Sequence, residues 1–220
     1  MLAVFFDAEG VLYYREGKNR RLGAFLEKNR LKLPEADALK SATEEAHERA
    51  LRGQISQFDF EEAVLAACGV SGPVLQAEGH AILRQEHEAI CLFPHVSETL
   101  LALKQRGFKL GVITDSAVPK SVKLAWLKSA GLGISWDAYA NSMDLGVRKP
   151  HERMYQAAMQ QAGVTPADSA FVGHAAHELQ GARAAGMHAI AFQHDPGAIA
   201  DTYIDLLKDL LDLPFLRMAG

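Results

Sequence analysis

Cysteine is scarce in this chain: two in 220 residues, Cys68 and Cys91. Two thiols build no disulfide framework, so the fold must rest on an apolar core. The pair lies in the apolar stretches ALAACGV and EAICLF and reads as reduced and buried. Strong charge of one sign is also missing. The net charge of −4 gives no basis for nucleic-acid binding, and basic residues gather only between Arg15 and Arg21, as a solvated connection does. No apolar run is long enough to span a bilayer, and the opening MLAVFF is too short for a signal peptide and has no basic leader. These absences point to a soluble, cytoplasmic protein that does not engage membranes. With 49% hydrophobic residues it can bury a sizeable core as one domain with a modest insertion.

What is present is a rhythm. LAVFF (2–6) is a short run of branched and aromatic residues ending at Asp7, which predicts a buried strand delivering that acid at its carboxyl end. Similar runs recur at 109–114 (KLGVIT), 168–173 (DSAFVG) and 188–192 (HAIAF). Helical patterns lie between or after them at 97–107, 122–131, 151–163 and 176–186, and Gly107, Gly131, Gly163 and Gly186 stand where carboxyl-cap glycines belong. Strand–helix alternation of this kind predicts an α/β fold, a Rossmann-like parallel sheet with flanking helices, binding ligands at the carboxyl ends of its strands.

Residues 16–92 break the rhythm. They carry amphipathic helical segments and no convincing strand, and so predict a helical unit inserted between the two pieces of the α/β core, 1–15 and 93–220. The tail at 198–213, AIADTYIDLLKDLLDL, predicts a strongly amphipathic helix packed on the core or on a second copy of the chain. A monomer and a homodimer both remain open.

Polar residues cluster at the predicted strand ends: Asp7, Glu9 and Gly10 after the first, Thr114 and Asp115 after the second, Lys149 before the helix that Pro150 helps to start, and His174, His177 and Glu178 after FVG. In order and spacing these four motifs resemble the haloacid dehalogenase-like hydrolase superfamily, and the resemblance extends over essentially the whole chain, including a helical cap inserted after the first motif. It implies that Asp7 is the nucleophile forming a covalent intermediate, that Thr114 hydrogen-bonds the transferring group, and that Lys149 neutralises charge around both. Asp115 belongs to the same phosphate-binding turn. Gly10 would expose backbone amides to an anion.

Two positions depart from the family pattern. Glu9 stands where phosphatases have an aspartate acting as general acid, and its extra methylene shifts its reach by roughly 1 Å, enough to matter for catalysis. The alternative is a carboxylate turned to solvent or paired with a cap residue. The backbone carbonyl there is normally a magnesium ligand. His174 replaces the aspartate that normally binds magnesium, and imidazole suits softer metals. Four outcomes follow: Mg2+ held weakly by Asp7, the Glu9 carbonyl, waters and Glu178; a softer divalent metal held with His174; a protonated His174 in the metal's place; or a neutral histidine without a role. Glu178 lies on the same helical face as His174 and would pair with Lys149 or order water. His177 is read as pointing outward.

The resulting expectation is a phosphatase of a small phosphorylated metabolite with an atypical metal site. The alternatives are metal-independent hydrolysis at carbon, as in the 2-haloacid dehalogenases, whose first motif also begins Asp-Ala, and a binding protein that has lost its chemistry. Tyr13, Tyr14, Arg15, Arg20 and His47 are candidates to line the cleft.

Overall fold

In the computed structural model, which describes residues 1–17 and 19–217, LAVFF is the middle of the sheet. Strand β1 (Ala3–Phe6) lies between β4 (Lys109–Thr114) and β6 (Ser169–Gly173). Outside β4 runs β5 (Ala138–Asn141), and outside β6 run β7 (His188–Phe192) and β8 (Thr202–Ile204), all parallel, in the order β5-β4-β1-β6-β7-β8. The chain works outward from β1 on one side and then returns to build the other. The direction therefore reverses beside β1, and a crevice opens there at the strand ends.

Period-two alternation in β1 explains the two cores. Val4 and Phe6 face a layer with Leu100, Leu103 and Leu127, from helices α5 (Val96–Gln105) and α6 (Lys120–Ser129). Ala3 and Phe5 face Met154, Tyr155 and Leu179, from α8 (Glu152–Ala162) and α9 (Ala176–Ala184). The short helix α7 (Ser142–Leu145) follows β5. Both faces are covered, which is why the strands read as continuous apolar runs. The four glycines expected to end helices all have positive φ, between 62° and 101°.

Four helices fill the interruption: α1 (Arg20–Lys28), α2 (Ala36–Leu51), α3 (Gln57–Ala67) and α4 (Pro73–Glu88). Leu22, Phe25, Leu26, Leu65 and Leu83 form a core of their own. The chain leaves and re-enters the α/β part through a two-stranded antiparallel ribbon, β2 (Tyr13–Tyr14) against β3 (Cys91–Leu92). Among the described residues, no helix is long and apolar enough to cross a membrane.

Three expectations need correction. The tail is not a helix: it gives β8 and then 3-10 turns over Leu207–Asp212 and Pro214–Leu216. The open edge of β7 accounts for this. Asp201 receives the Ala189 amide on its carboxylate at 2.9 Å and returns its own amide to the Ala189 carbonyl, starting an edge strand. Arg106 then holds the Leu211 and Leu216 carbonyls at 2.7 and 3.0 Å. Strand pairing and these anchors outweigh a helical period that is strong only in isolation. Strand β5, sequence AYAN, went unrecognised because four residues, mostly small, carry no readable alternation. Finally, Cys91 is half-buried in β3 while Cys68 is buried, and both are free.

Gly111 in β4 is where the sheet has least slack, since a Cβ there would stand 2.5 Å from Phe5 Cδ1. Gly111→Ala is expected to destabilise the protein by about 1–3 kcal/mol through overpacking. Urea unfolding should show a lower midpoint with an unchanged slope, and an unchanged midpoint would mean that Phe5 repacks freely.

Candidate active site

The parallel register brings the motifs together. Phe6 pairs with both Val112 and Val172, so Asp7, Thr114 and His174 leave the sheet at nearly the same level. Asp7, Thr114, Lys149 and Glu178 are all buried. The ammonium of Lys149 lies between two carboxylates, 2.5 Å from Asp7 Oδ1 and 2.9 Å from Glu178 Oε1. Asp7 Oδ1 also accepts the Ala8 amide at 2.8 Å. His174 approaches the other Asp7 oxygen, Oδ2, to 3.6 Å through Nε2. Asp7 therefore faces a lysine on one side and an imidazole on the other.

Backbone features hold these groups. Asp115 takes the Lys149 amide on Oδ1 at 3.1 Å and Arg148 Nε on Oδ2 at 3.3 Å. The turn carrying Lys149 is thereby fastened to the end of β4. Arg148 also pairs with Glu48 of α2, so one guanidinium ties the inserted helices to the loop carrying Lys149. Glu178 is set by close packing: a Cβ on Gly181 would lie 2.7 Å from Pro150 Cβ and from the Tyr155 hydroxyl, and that hydroxyl donates to the Glu178 carbonyl at 2.8 Å.

Three predicted residues stand differently from expectation. Gly10 has φ of 89° and does allow the turn, but its amide donates to the Tyr13 carbonyl at 2.8 Å and is not an anion donor. What its missing side chain provides is room for His174, whose Nε2 would be 2.4 Å from a Cβ at residue 10. Glu9 is exposed and paired with Arg15 NH1, the alternative that sequence reasoning had left open. Asp115 serves the loop as a clamp. His177 is exposed, as read from the sequence, and lines a cavity of about 540 Å3 with Arg52, Arg148, Lys149 and His151. Of the cleft candidates, Tyr13 is buried and Tyr14 and Arg15 are half-buried, whereas Arg20 is exposed and His47 stacks on Phe60. Arg148 and Lys123 were missed. Lys123 had a signal: it falls four residues before Leu127, on the buried face of its helix.

The donor set suits a hard divalent cation poorly. One carboxylate oxygen of Asp7 and one of Glu178 already face Lys149, and the remaining neighbour is a nitrogen. Among the described residues, no group of three His, Cys, Asp or Glu could hold a metal ion. Glu178 Oε2 is buried with no hydrogen-bond partner. Burial, opposed by Lys149 and aided by Asp7, pushes its carboxyl up to about 7. Burial alone would lower the Lys149 pKa, but Asp7, Glu178 and Asp115 outweigh it and raise it. With Glu178 protonated, the lysine charge belongs to Asp7.

This raised carboxyl gives a pH prediction. The folded state holds the Glu178 proton more tightly than the unfolded chain does, so this stability is full below pH about 4.5 and is lost as pH rises through about 7. Glu178→Gln should remove that pH dependence, about 3 kcal/mol. Urea midpoints measured from pH 4 to 8 check it, and parallel profiles for both proteins would refute it.

Comparison with known proteins agrees with the geometry. A family model for haloacid dehalogenase-like hydrolases matches residues 1–186. The chain is 31% identical over 199 residues to a glyceraldehyde 3-phosphate phosphatase of Methanothermobacter thermautotrophicus, covering 86% of this chain and 84% of that protein. It is 30% identical over 134 residues to a phosphoglycolate phosphatase of Salmonella paratyphi A, where it spans about half of each, 56% and 52%. Among solved structures, a 2-haloacid dehalogenase from Pseudomonas syringae pv. Tomato superposes with a TM-score of 0.72 at 22% identity, over 96% of this chain and 97% of that one. A phosphatase from Thermococcus onnurineus gives 0.64 at 22% identity with the same coverage. A central strand ending at a buried aspartate, a lysine on that aspartate and helices inserted after the first strand thus coincide with the family match, and the chain belongs to the haloacid dehalogenase-like hydrolases.

Proposed function

We propose that the protein hydrolyses small phosphomonoesters through a covalent intermediate on Asp7. The observation that carries this reading is the Asp7 carboxylate, buried, held on Oδ1 by Lys149 and left with Oδ2 facing His174 at 3.6 Å. Oδ2 attacks phosphorus, the bond to the leaving alcohol breaks, and the alcohol oxygen takes a proton. Water then cleaves the aspartyl phosphate and restores Asp7. Lys149 and His174 flank the transferring group, Lys149 offsets its charge, and Thr114 donates its hydroxyl to it. Glu9, two residues after Asp7, is the candidate proton donor to the leaving alcohol, and it must release Arg15 to deliver a proton. In this reading the positive charge comes from the protein's own side chains, in place of a magnesium ion.

Attack on carbon is the second reading. A free carboxylate at residue 9 would repel a 2-haloacid, but Glu9 is paired with Arg15, which weakens that objection.

Asp7→Asn is expected to reduce turnover of a phosphomonoester panel by at least about a thousandfold, as loss of a nucleophile does. Equal inertness of both proteins on the panel, with halide released from 2-chloropropionate by the wild type alone, would move the assignment to carbon. The charge arrangement is tested separately. Wild-type turnover should survive EDTA, whereas His174→Asp should bind Mg2+ by calorimetry and become sensitive to the chelator. Loss of wild-type turnover in EDTA with recovery in Mg2+ would overturn the metal-independent scheme.

A further inference from the structure

Beside the nucleophile lies a cation that the reaction above does not use. Lys123, in the first turn of α6, is buried. Its ammonium donates to the Tyr13 hydroxyl at 2.7 Å and lies over the rings of Tyr13 and Trp126, 5.3 and 5.4 Å from their centroids. Arg15 shares both rings, at 5.2 and 6.0 Å. Arg15 has an anion, Glu9. Among the described residues, no carboxylate lies within ion-pair distance of Lys123.

A buried charge without a counter-ion is costly, and proteins rarely keep one without use. The position compounds the cost. A helix amino terminus is electropositive and favours acids, yet the first turn of α6 carries none and has Lys120 and Lys123 instead. Burial first, and then Arg15, pull the Lys123 ammonium down to about 8. Its partner Tyr13 closes the turn that follows Asp7, accepting the Gly10 amide on its carbonyl at 2.8 Å, which places Lys123 at the Asp7 end of the sheet. Lys123 and Arg15 share the Tyr13 and Trp126 rings, and of the two only Arg15 is in an ion pair among the described residues, with Glu9.

We infer that Lys123, with Tyr13 and Trp126 as walls, is a subsite for a carboxylate carried by the substrate at the end remote from the group that Asp7 attacks. A single excess charge fits a carboxylate better than a dianionic second phosphate. The inference rests on the phosphomonoester reading and narrows it to phosphorylated short-chain acids. It also explains why a destabilising lysine is kept on an otherwise apolar helix face. Binding fills the missing anion, so discrimination comes from a group that is unpaired only in the empty protein.

Calorimetry on the Asp7→Asn chain, which binds without turnover, tests this with phosphoglycolate and ethyl phosphate, which differ in the carboxylate. Phosphoglycolate should bind about 10- to 100-fold more tightly, the range of a charged hydrogen bond. Adding Lys123→Met should abolish that difference, leave ethyl phosphate binding unchanged, and leave the melting temperature equal or higher. Equal affinity for the two esters in the parent, or a preference that survives Lys123→Met, would overturn the subsite. So would a Lys123→Met protein that melts lower and loses both ligands alike, because that is a packing role. If neither ester binds, the phosphomonoester reading falls, and 2-chloropropionate decides the subsite. Binding to the Asp7→Asn chain that Lys123→Met removes retains it, and no binding discards it.

Discussion

Lys149 is the group on which the site depends. One buried ammonium faces two carboxylates, 2.5 Å from Asp7 and 2.9 Å from Glu178. The lysine could not stay charged at that depth without them. Much of the surrounding architecture serves to hold this triad. Asp115 clasps the backbone of Lys149, Gly181 lets α9 press onto Pro150, and β1 delivers Asp7 from the centre of the sheet. Because two acids compete for one base, the proton on Glu178 controls how much positive charge reaches Asp7.

The inserted helices meet this centre through two guanidinium groups. Arg148 joins Glu48 of α2 to Asp115. Arg15 joins Glu9 to the carbonyl of His87 at the end of α4, with Nη2 at 3.2 Å. Ala50 and Leu51 of α2 also pack on Ala117, just beyond Thr114. A change in the inserted helices therefore has direct lines to the loop carrying Lys149 and to the acid at residue 9. Placing the polar contacts on arginine suits this, since a guanidinium can serve two partners at once.

Much of the core was readable because its signals are local. Apolar runs stop at Asp7 and Thr114, glycines sit where helices end, and the interruption after the first strand has helical periodicity throughout. The failures share a cause as well. β5 and the β2–β3 ribbon are too short to show a period, and the tail followed its leucine spacing on paper while the open edge of β7 took it as a strand. Glu9 and Gly10 follow Asp7 in the first turn, but their contacts are set by Arg15 and by the Tyr13 carbonyl.

By itself the sequence determined the α/β class, the central strand ending at Asp7, the position of the inserted helices and the placing of Thr114, Lys149 and His174 at the same end of the sheet. Those follow from patterns of burial within single segments and from the order of motifs along the chain. Only the tertiary structure decided which charge pairs with which: Lys149 with both acids, Glu9 with Arg15, and Lys123 with a hydroxyl and two rings instead of an acid. The pairing of charges depends on distances of a few ångströms between residues far apart in the chain, and a one-dimensional pattern does not contain them.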